Sequence, residues 1–365
     1  MIYLDYAATT PFLPENIKLY SEITADYFYN HESLHAGGDE VKSLREAAEH
    51  YLDNMFTDNL TTIVTTSASE ANRIAIELYL YGKHQPRVLV SPLEHPSIFS
   101  ALEQHRAELI LLPIEDGHVQ LDAANELIAQ VDLVIMQHTH SETGLLMPVE
   151  ALSLLCREYN VPYHCDIVQA AGKLPVDTTG MTSYAFSAHK FYGPKGIGAL
   201  RIKPDYIRSL NLHFHHEYGT KNGTLDIPAF AVMAHQLTAM QPYIQNHLTY
   251  TAALKRQLLA GLNDAYRTLD YEMSPYIIPL ISRQYEGQYM MQRLSQEGIL
   301  ISTGTACGHG TIHSIGLTQL IDPINQYFRV SLSHLTTPGE VSQLAAALNR
   351  ISEEFHDSRQ TSANR

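Results

Sequence analysis

The sequence predicts an α/β protein with a mainly parallel sheet in a large domain and a smaller C-terminal α+β domain. From Thr61 onward, short apolar runs alternate with segments of helical periodicity, the pattern of repeated strand–helix–strand units. The 365 residues exceed what one ordinary domain needs. After Ile227 helices dominate to about Ala265, and strands and helices mix from about Leu269. We therefore expect a large domain over 14–250 and a small domain over 1–13 and 251–365.

Composition excludes several classes of function. The formal net charge is −15 and no basic run occurs, so neither nucleic acid nor an anionic membrane is expected as a direct partner. The chain is 45% hydrophobic, enough for a large core, and no apolar stretch approaches the ~18 residues of a membrane span. Three cysteines make neither a disulfide framework nor a zinc motif. Because the chain starts without a basic, apolar leader, we expect a cytoplasmic protein.

The predicted elements follow in order along the chain. A short strand at Leu4 leads into helices over 14–29 and 39–56, the second with apolar residues at a period near 3.6. Strands are predicted at 61–65, 88–90, 109–112, 133–136, 161–163 and 184–186. Helices are predicted over 69–81, from 95, over 123–129 and over 148–159. In the small domain, strands are predicted at 277–281, 299–302 and 327–332, with helices at 287–296 and 338–351.

Two of the predicted strands are each followed by one ionisable residue. Asp166 follows the run at 161–163, and Lys190 follows the run at 184–186. Strand ends form the ligand site of a doubly wound sheet, so we expect these side chains to lie near each other. The pair suits pyridoxal phosphate (PLP), because its aldehyde bonds to a lysine amine and its ring nitrogen needs an anionic partner.

The residues around Lys190 strengthen this interpretation. Ser187 and His189 flank the lysine and can donate hydrogen bonds to a phosphate, and the glycines that follow let the backbone approach a ligand closely. Alternatively, Asp166 caps a helix, Lys190 is solvated and the glycines form a turn. Each of these alternatives explains one residue, whereas PLP explains all of them in this order.

Long motifs around both residues resemble a known family. The motifs are His-Cys-Asp-Ile-Val-Gln-Ala-Ala-Gly-Lys-Leu-Pro-Val-Asp at 164–177 and Ser-Ala-His-Lys-Phe-Tyr-Gly-Pro-Lys-Gly-Ile-Gly-Ala-Leu at 187–200. They resemble the cysteine desulfurases, fold-type I PLP enzymes of aminotransferase class V, and Leu-Asp-Tyr-Ala-Ala-Thr-Thr-Pro at 4–11 is similar to the start of that family. The resemblance implies a fold-type I PLP-dependent transferase whose large domain has a seven-stranded, mainly parallel sheet.

The resemblance also implies residues that bind the cofactor, PLP. Ala68 and Ser69 match the family's phosphate loop, where amides at a helix start attract an anion. His95 matches the histidine that lies over the PLP ring and takes part in proton transfer, and Gln169 matches the glutamine that binds the ring hydroxyl. Thr224 matches a threonine that reaches the phosphate of the partner subunit, which implies a homodimer.

Two further matches concern the implied substrate, L-cysteine. Ser-Thr-Gly-Thr-Ala-Cys at 302–307 is similar to the family's Ser-Ser-Gly-Ser-Ala-Cys, which implies that Cys307 is the nucleophile that carries a persulfide. Arg329 matches the arginine that clamps the substrate α-carboxylate. The implied sulfur acceptor is a scaffold for iron–sulfur cluster assembly or a tRNA-thiolating enzyme.

Several positions depart from the family pattern. Ser141 stands where an asparagine contacts cofactor and substrate, and Lys221 replaces an arginine. Ser67 and Arg73 replace a glycine and an asparagine in the phosphate loop. The Ser141 hydroxyl is shorter than an asparagine side chain, and Lys221 cannot form the two parallel hydrogen bonds of an arginine. These differences leave two alternatives to a cysteine desulfurase open. One is another class V PLP enzyme, such as an aminotransferase or a selenocysteine lyase, and the other is a PLP-bound scaffold without turnover.

The segment 213–216 contains three histidines and is followed by Glu217. Such a group can bind zinc, but nothing in the sequence fixes its geometry. We therefore expect no metal site and interpret these histidines as solvated or packing residues.

Overall fold

The computed structural model describes residues 1–304 and 316–363, with side chains up to residue 354. The chain divides into two compact units. The large unit comprises Thr10–Thr139 and Met147–Ile244, and the small unit comprises Met1–Thr9, His140–Leu146 and Gln245–Arg365. The sequence-based domain bounds stay a prediction, because compactness does not show which parts fold independently.

Strands and helices alternate along most of the described chain. The first half contains β1 (Ile2–Tyr3), α1 (Pro14–Asp26), α2 (Ala36–Phe56), β2 (Thr61–Thr65), α3 (Ala68–Leu80), β3 (Arg87–Val90), α4 (Pro96–Gln104), β4 (Glu108–Leu111), β5 (Ile114–Glu115), β6 (His118–Val119), α5 (Leu121–Ile128), β7 (Leu133–Ile135), α6 (Val149–Glu158) and β8 (Tyr163–Asp166). The second half contains β9 (Ser183–Ser187), β10 (Gly198–Ile202), α7 (Ile227–Met240), α8 (Ile244–Gly261), β11 (Tyr266–Arg267), β12 (Ile277–Ser282), α9 (Gly287–Gln296), β13 (Ile299–Leu300), α10 (Leu317–Leu320), β14 (Tyr327–Ser331) and α11 (Pro338–Ala363). Within the described residues, no helix combines the length and apolarity needed to cross a membrane.

A seven-stranded sheet forms the centre of the large unit, in the order β2-β10-β9-β8-β7-β3-β4. The strands from β9 to β4 in this order pair in parallel, whereas β10 is antiparallel to both β2 and β9. It follows that β2 runs in the same direction as the parallel strands. The predicted seven-stranded, mainly parallel sheet is confirmed. All strands except β10 therefore end at one edge of the sheet, which we call the carboxyl edge.

Burial on both faces explains why the central strands are continuous apolar runs. Leu133, Val134 and Ile135 of β7 are completely buried, as expected for a parallel sheet covered by helices. α3 follows β2 directly, and its apolar residues share one buried cluster with residues of β3, β7, β9 and β10. This packing holds the start of α3 at the carboxyl edge, beside the end of β2.

The small unit has the predicted α+β character. Its antiparallel sheet has the order β11-β12-β14, and β1 pairs in parallel with β13. Leu4, Phe328 and Leu348 belong to one buried cluster that joins these strands to α11. The segment His140–Leu146 is attached to this unit through a bridge between Leu145 and Met273.

Candidate cofactor site

Asp166 is the last residue of β8, and its carboxylate is fixed on both oxygens. The backbone N–H of Val168 donates to Oδ1 at 2.9 Å, and the Asn72 side-chain amide donates to Oδ2, also at 2.9 Å. The residue is 9% exposed. A carboxylate held in this way has a defined direction, as the partner of a ring nitrogen must have.

Lys190 follows the neighbouring parallel strand, β9, in a short 3₁₀ turn formed by Ala188–Lys190. Thr10 fixes this turn, since its N–H and its hydroxyl both donate to the carbonyl of His189, at 2.8 and 2.9 Å. The hydroxyl oxygen of Thr10 also accepts from the N–H of Tyr192 at 2.7 Å. Because β8 and β9 are adjacent and parallel, Asp166 and Lys190 lie at the same edge of the sheet, as predicted.

Ser187 and His189 flank the lysine in different environments. Ser187 is buried, and its hydroxyl donates to the carbonyl of Ile197 at 3.2 Å. Burial lowers the pKa of His189 to about 4, and the positive charge of Lys190 acts in the same direction. His189 is therefore neutral near pH 7, and a neutral imidazole can both donate and accept a hydrogen bond.

The start of α3 has the geometry of an anion site. Ser67 is the N-cap residue, and its hydroxyl accepts from the N–H of Glu70 at 3.2 Å. A Cβ at Gly198 of β10 would lie 2.9 Å from the carbonyl carbon of Ser67 and 3.1 Å from the nitrogen of Ala68. Glycine at this position therefore allows β10 to approach the loop. Ala68 and Ser69 are the first helical residues, as the resemblance implies.

Lys221 lies beside this helix start, although the sequence alone did not indicate its partner. Its ammonium group is 2.8 Å from Oε2 of Glu70, and the N–H of Thr66 donates to the same oxygen at 2.7 Å. Burial opposes ionisation of Glu70, but the bonds from Lys221 and Thr66 outweigh it and lower the pKa of Glu70. The lysine thus braces the loop through a single point contact.

His95 is the N-cap residue of α4 and lies half-buried after β3. Its Nδ1 accepts from the N–H of Ser97 at 3.2 Å, which in the neutral ring leaves the proton on Nε2. The preceding Glu94 is completely buried, and burial raises its pKa well above the ordinary value. The N–H of Gln137 donates to Oε1 of Glu94 at 2.7 Å.

Gln169 and Lys173 form a buried pair next to Asp166 in the sequence. The Lys173 ammonium group donates to Oε1 of Gln169 at 3.0 Å, and the two residues are 6% and 5% exposed. The amide oxygen of Gln169 is thereby engaged, so the amide NH₂ group is the end that suits an acceptor such as a ring hydroxyl. Thr224, in contrast, is exposed on a loop after Gly223.

The small unit holds Arg329 and Ser141 in direct contact. Nη1 of Arg329 donates to the carbonyl oxygen of Ser141 at 2.9 Å, and Nη2 donates to Oδ1 of Asp5 at 2.8 Å. Arg329 is 2% exposed, and its Nε has no hydrogen-bond partner among the described residues. Ser141 thus contacts the arginine through its backbone, and Asp5 is a partner that the sequence did not reveal.

Cys307 lies outside the described residues. The segment before it is anchored in the small unit, because Ser302 exchanges two backbone hydrogen bonds with Arg329, at 2.7 and 3.1 Å. Of the histidines at 213–216, His216 pairs with Glu32 at 2.9 Å. The part of the chain that the structure describes contains no group of three or more His, Cys, Asp or Glu side chains arranged for a metal ion.

The carboxyl edge of the large unit fits PLP. It presents an oriented carboxylate at Asp166, an amine at Lys190 and a helix start whose loop is closely approached only because residue 198 is glycine. These features define a fold-type I PLP-dependent enzyme. The comparisons with known proteins agree with this class and narrow it.

The model of the aminotransferase class-V family matches residues 2–344. The "Putative cysteine desulfurase NifS" of Bacillus subtilis (strain 168) is 30% identical over 390 aligned positions, covering 100% of this chain and 99% of that protein. The cysteine desulfurase IscS of Dictyoglomus turgidum is 29% identical and covers 97% of this chain and 95% of its own. The chain belongs to the aminotransferase class-V family, within its cysteine desulfurase branch, whose cofactor is PLP.

Solved structures show the same fold. A NifS-like protein aligns with a TM-score of 0.87 at 22% identity, covering 96% of this chain and 99% of that one. The NifS-like protein from Rickettsia africae also has a TM-score of 0.87, at 21% identity, covering 97% and 99%. At these identities the likeness supports the fold.

Proposed function

We propose that the protein is a PLP-dependent L-cysteine desulfurase that converts L-cysteine to L-alanine and leaves a persulfide on Cys307. The observation that carries this proposal is the presence in one chain of the PLP-type strand edge and of the cysteine motif at 302–307. An aminotransferase has little use for a cysteine in a glycine-rich segment. The full-length similarity to proteins named as cysteine desulfurases supports the same activity.

The proposed cofactor roles follow from the positions at the carboxyl edge. Lys190 bonds covalently to PLP, and Asp166 accepts a hydrogen bond from the ring nitrogen. Ala68, Ser69, Ser187 and His189 would hold the phosphate at the start of α3, and Thr224 would reach the phosphate of the partner subunit. Gln169 would donate to the ring hydroxyl, and His95 would contact the ring. When bound, PLP withdraws electrons from the Cα atom of the amino acid attached to it.

The chemical steps proposed for the protein's own residues concern a proton and a sulfur atom. The Lys190 amine is released from its bond to PLP when the substrate amine takes its place, and it then removes the Cα proton with the assistance of His95. The Cys307 thiolate attacks the substrate sulfur, so that an S–S bond forms and the C–S bond breaks. The electron pair of the broken bond stays with the substrate carbon, which takes up a proton. Alanine and an enzyme persulfide are the products.

Arg329 is proposed to bind the substrate carboxylate. Its guanidinium group is held by Asp5 and by the carbonyl of Ser141, which fixes the plane of the group. A fixed guanidinium plane suits bidentate recognition of a carboxylate. The contact also supports a second role for Ser141. Its backbone carbonyl orients Arg329, and this role does not depend on the identity of its side chain.

The activity is tested by measuring alanine and sulfide from L-cysteine with a reductant, using PLP-loaded protein. We expect equal amounts of both products, and a loss on the order of a thousandfold or more in Cys307→Ala, with PLP absorbance retained. Cys156→Ala is the matched control, because Cys156 is buried and burial raises its pKa to about 12. This variant should keep its activity.

Two results would contradict the proposal. One is unchanged sulfide release in Cys307→Ala. The other is a PLP-loaded wild-type protein that yields neither product, which would favour a different substrate or a scaffold without turnover. Alanine release from L-selenocysteine but not from L-cysteine would identify the selenocysteine lyase alternative.

We further propose a homodimer. Large apolar side chains are exposed in two loops of the large unit. Phe28 (69% exposed) and Leu34 (103%) lie between α1 and α2, and Leu212 (93%) lies between β10 and α7, in the segment that also contains Thr224. Nδ1 of His216 lies 2.9 Å from Oε1 of Glu32, a contact that joins these two loops. Apolar side chains concentrated in this way are typical of a protein interface.

Light scattering during size exclusion tests the dimer. We expect twice the 40.9 kDa mass of the chain, and dissociation in the double variant Leu34→Glu/Leu212→Glu. Leu154→Glu is the control, because Leu154 is 60% exposed on α6, and it should leave the mass unchanged. A wild-type mass of one chain would contradict this proposal.

The sulfur acceptor is proposed to be a protein thiol in the cytoplasm, on a scaffold for iron–sulfur assembly or a tRNA-thiolating enzyme. A persulfide transfers its outer sulfur to another thiolate by exchange, which explains why a thiol is the acceptor. The net charge of −15 is unfavourable for direct contact with tRNA, so transfer through a protein is expected.

A further inference from the structure

A chain of buried polar side chains lies behind Asp166 in the large unit. Its members are Ser183, His164, Asn72 and Asp166, and the first three are 0% exposed. The Asn72 amide donates to Oδ2 of Asp166 at 2.9 Å, and Nε2 of His164 is 3.0 Å from Oδ1 of Asn72. Nδ1 of His164 is 2.7 Å from the hydroxyl of Ser183. The sequence motifs assigned no role to Asn72, His164 or Ser183.

The chemistry of these groups fixes the direction of every hydrogen bond. The NH₂ group of Asn72 donates to a carboxylate oxygen, so its Oδ1 is the end that faces His164 and must accept. His164 therefore carries its proton on Nε2. Its Nδ1 then accepts, and Ser183 donates to it. Burial lowers the pKa of His164 to about 3, so the ring is neutral near pH 7 and this tautomer is maintained.

These four residues lie in three elements of the large unit. Asn72 lies in α3, His164 and Asp166 in β8, and Ser183 in β9. These hydrogen-bonded side chains therefore connect α3, which begins at the proposed phosphate site, to β8, which carries Asp166, the proposed partner of the ring nitrogen. Glu94 is the other buried carboxyl group near Asp166, and burial raises its pKa, which favours its uncharged form.

We propose that Asn72 and His164 are positioning residues that orient the Asp166 carboxylate toward the ring nitrogen of PLP. Asn72 engages Oδ2 directly, and His164 holds the Asn72 amide in the orientation that donates. Without them Asp166 could rotate, and a buried carboxylate would lose a charge-assisted hydrogen bond. This inference rests on the assignment of PLP as the cofactor and is independent of the desulfurase activity.

The test compares PLP with deaza-PLP, an analogue in which a C–H group replaces the ring nitrogen. Both are titrated into the full-length apoprotein, and the ratio of their dissociation constants measures the contribution of the ring nitrogen. The wild type should prefer PLP. In Asn72→Leu this preference should fall by about tenfold or more, the value of one hydrogen bond to a charged group.

Substitutions at His164 and Ser183 test whether the effect depends on the whole series of hydrogen-bonded side chains. His164→Leu should lower the preference in the same direction, whereas His164→Gln should restore much of it, because a glutamine N–H can donate where Nε2 does. Ser183→Ala removes only one oxygen atom and should fold as the wild type does. It should lower the preference by a smaller factor, so it tests the chain even where Asn72→Leu does not fold.

Asn16→Leu is the matched control. Asn16 is a buried asparagine of the same unit, 2% exposed, that donates to Gln236 at 2.8 Å and lies in α1. It should weaken both ligands equally or neither. The proposal is overturned if the ratio is unchanged in Asn72→Leu or, where that variant does not fold, in Ser183→Ala. An equal change of the ratio in Asn16→Leu also overturns it. A wild type without preference would instead refute the role of Asp166, and sulfide release would still report separately on desulfurase activity.

Discussion

Arg201 is among the largest fully buried side chains of the described residues, and its contacts show how a charge is accommodated in the sheet. Its guanidinium group, at 0% exposure, pairs with Asp53 and Asp58 and donates to the hydroxyl of Thr62 at 2.9 Å. The hydroxyl of Tyr184 donates to the second oxygen of Asp58 at 2.6 Å. Removing the arginine would leave the Asp58 carboxylate, whose side chain is 13% exposed, without its counter-charge, whereas the Asp53 side chain is 51% exposed and solvated.

We therefore predict that Arg201→Met lowers the free energy of unfolding by about 1–3 kcal/mol. Arg350→Met is the control, because Arg350 pairs with Glu297 at the surface, where an ion pair contributes about 1 kcal/mol or less. Urea denaturation of both variants measures the difference. Equal losses in the two variants would show that the Arg201 network is not stabilising.

At the scale of single residues, the sequence predicts the residues that take part in the chemistry better than it predicts the residues that hold them in place. Asp166 ends β8 and Lys190 follows the adjacent β9, so both lie at strand ends as expected, because a strand end can be recognised from an apolar run. Asn72, His164 and Asp5 were missed as partners, since each acquires its role from a contact across the fold. A polar residue that lies within an otherwise buried helix or strand, as Asn72 and His164 do, is the signal that could have indicated them.

Among elements, β10 was not assigned from the sequence. It reads Gly-Ala-Leu-Arg-Ile, begins with glycine and contains an arginine, so it lacks the apolar pattern of the other strands. The structure shows why both are tolerated. Gly198 permits close contact with the start of α3, and Arg201 is neutralised by two aspartates.

Gly198→Ala tests the link between β10 and the proposed phosphate site. The added methyl group would lie 2.8 Å from the carbonyl oxygen of Phe186 and 2.9 Å from the carbonyl carbon of Ser67, so backbone must move. We predict a loss of stability of about 1–3 kcal/mol and a PLP affinity reduced about tenfold, measured by unfolding and by cofactor titration.

Gly339→Ala is the control for this change. Its Cβ would be 3.9 Å from the hydroxyl oxygen of Thr337, so α11 should accept it without loss. If Gly198→Ala binds PLP as tightly as Gly339→Ala does, the close approach of β10 is not needed for the cofactor site.

For the whole molecule, buried histidines predict sensitivity to acid. Burial lowers the pKa of His164 to about 3 and that of His138, His189 and His334 to about 4, from an ordinary value of 6.5. Between these values the unfolded chain binds more protons than the folded one. The contribution of these histidines to the free energy of unfolding is therefore fully present above about pH 6.5. It falls as the pH decreases toward 4, by at most about 1.4 kcal/mol per pH unit for each histidine that is neutral in the folded protein and protonated in the unfolded chain.

His334→Gln provides the matched test of this prediction. His334 stacks on His247 with ring centroids 4.2 Å apart, and the pKa of His334 is lowered by burial and, to a smaller extent, by His247. The midpoint of urea unfolding of the apoprotein should fall between pH 7 and pH 5, and less steeply in His334→Gln. A midpoint that is constant or rises over this range would contradict the account.

The fold of the whole molecule was largely predictable, because repeated strand and helix patterns specify a mainly parallel sheet. The placement of His140–Leu146 in the small unit was not, since its attachment depends on a bridge to a residue distant in the sequence. The central functional claim depends on Cys307, which lies outside the described residues, and so it has to be tested chemically.

The most direct measurement is a single turnover of PLP-loaded protein with L-cysteine and no reductant, followed by mass analysis of its peptides. We predict one added sulfur atom on the peptide that contains Cys307, together with an equal amount of alanine, and neither in Cys307→Ala. Alanine without a persulfide on that peptide, or sulfur attached to Cys156 or Cys165 instead, would contradict the assignment of Cys307 as the sulfur-accepting nucleophile.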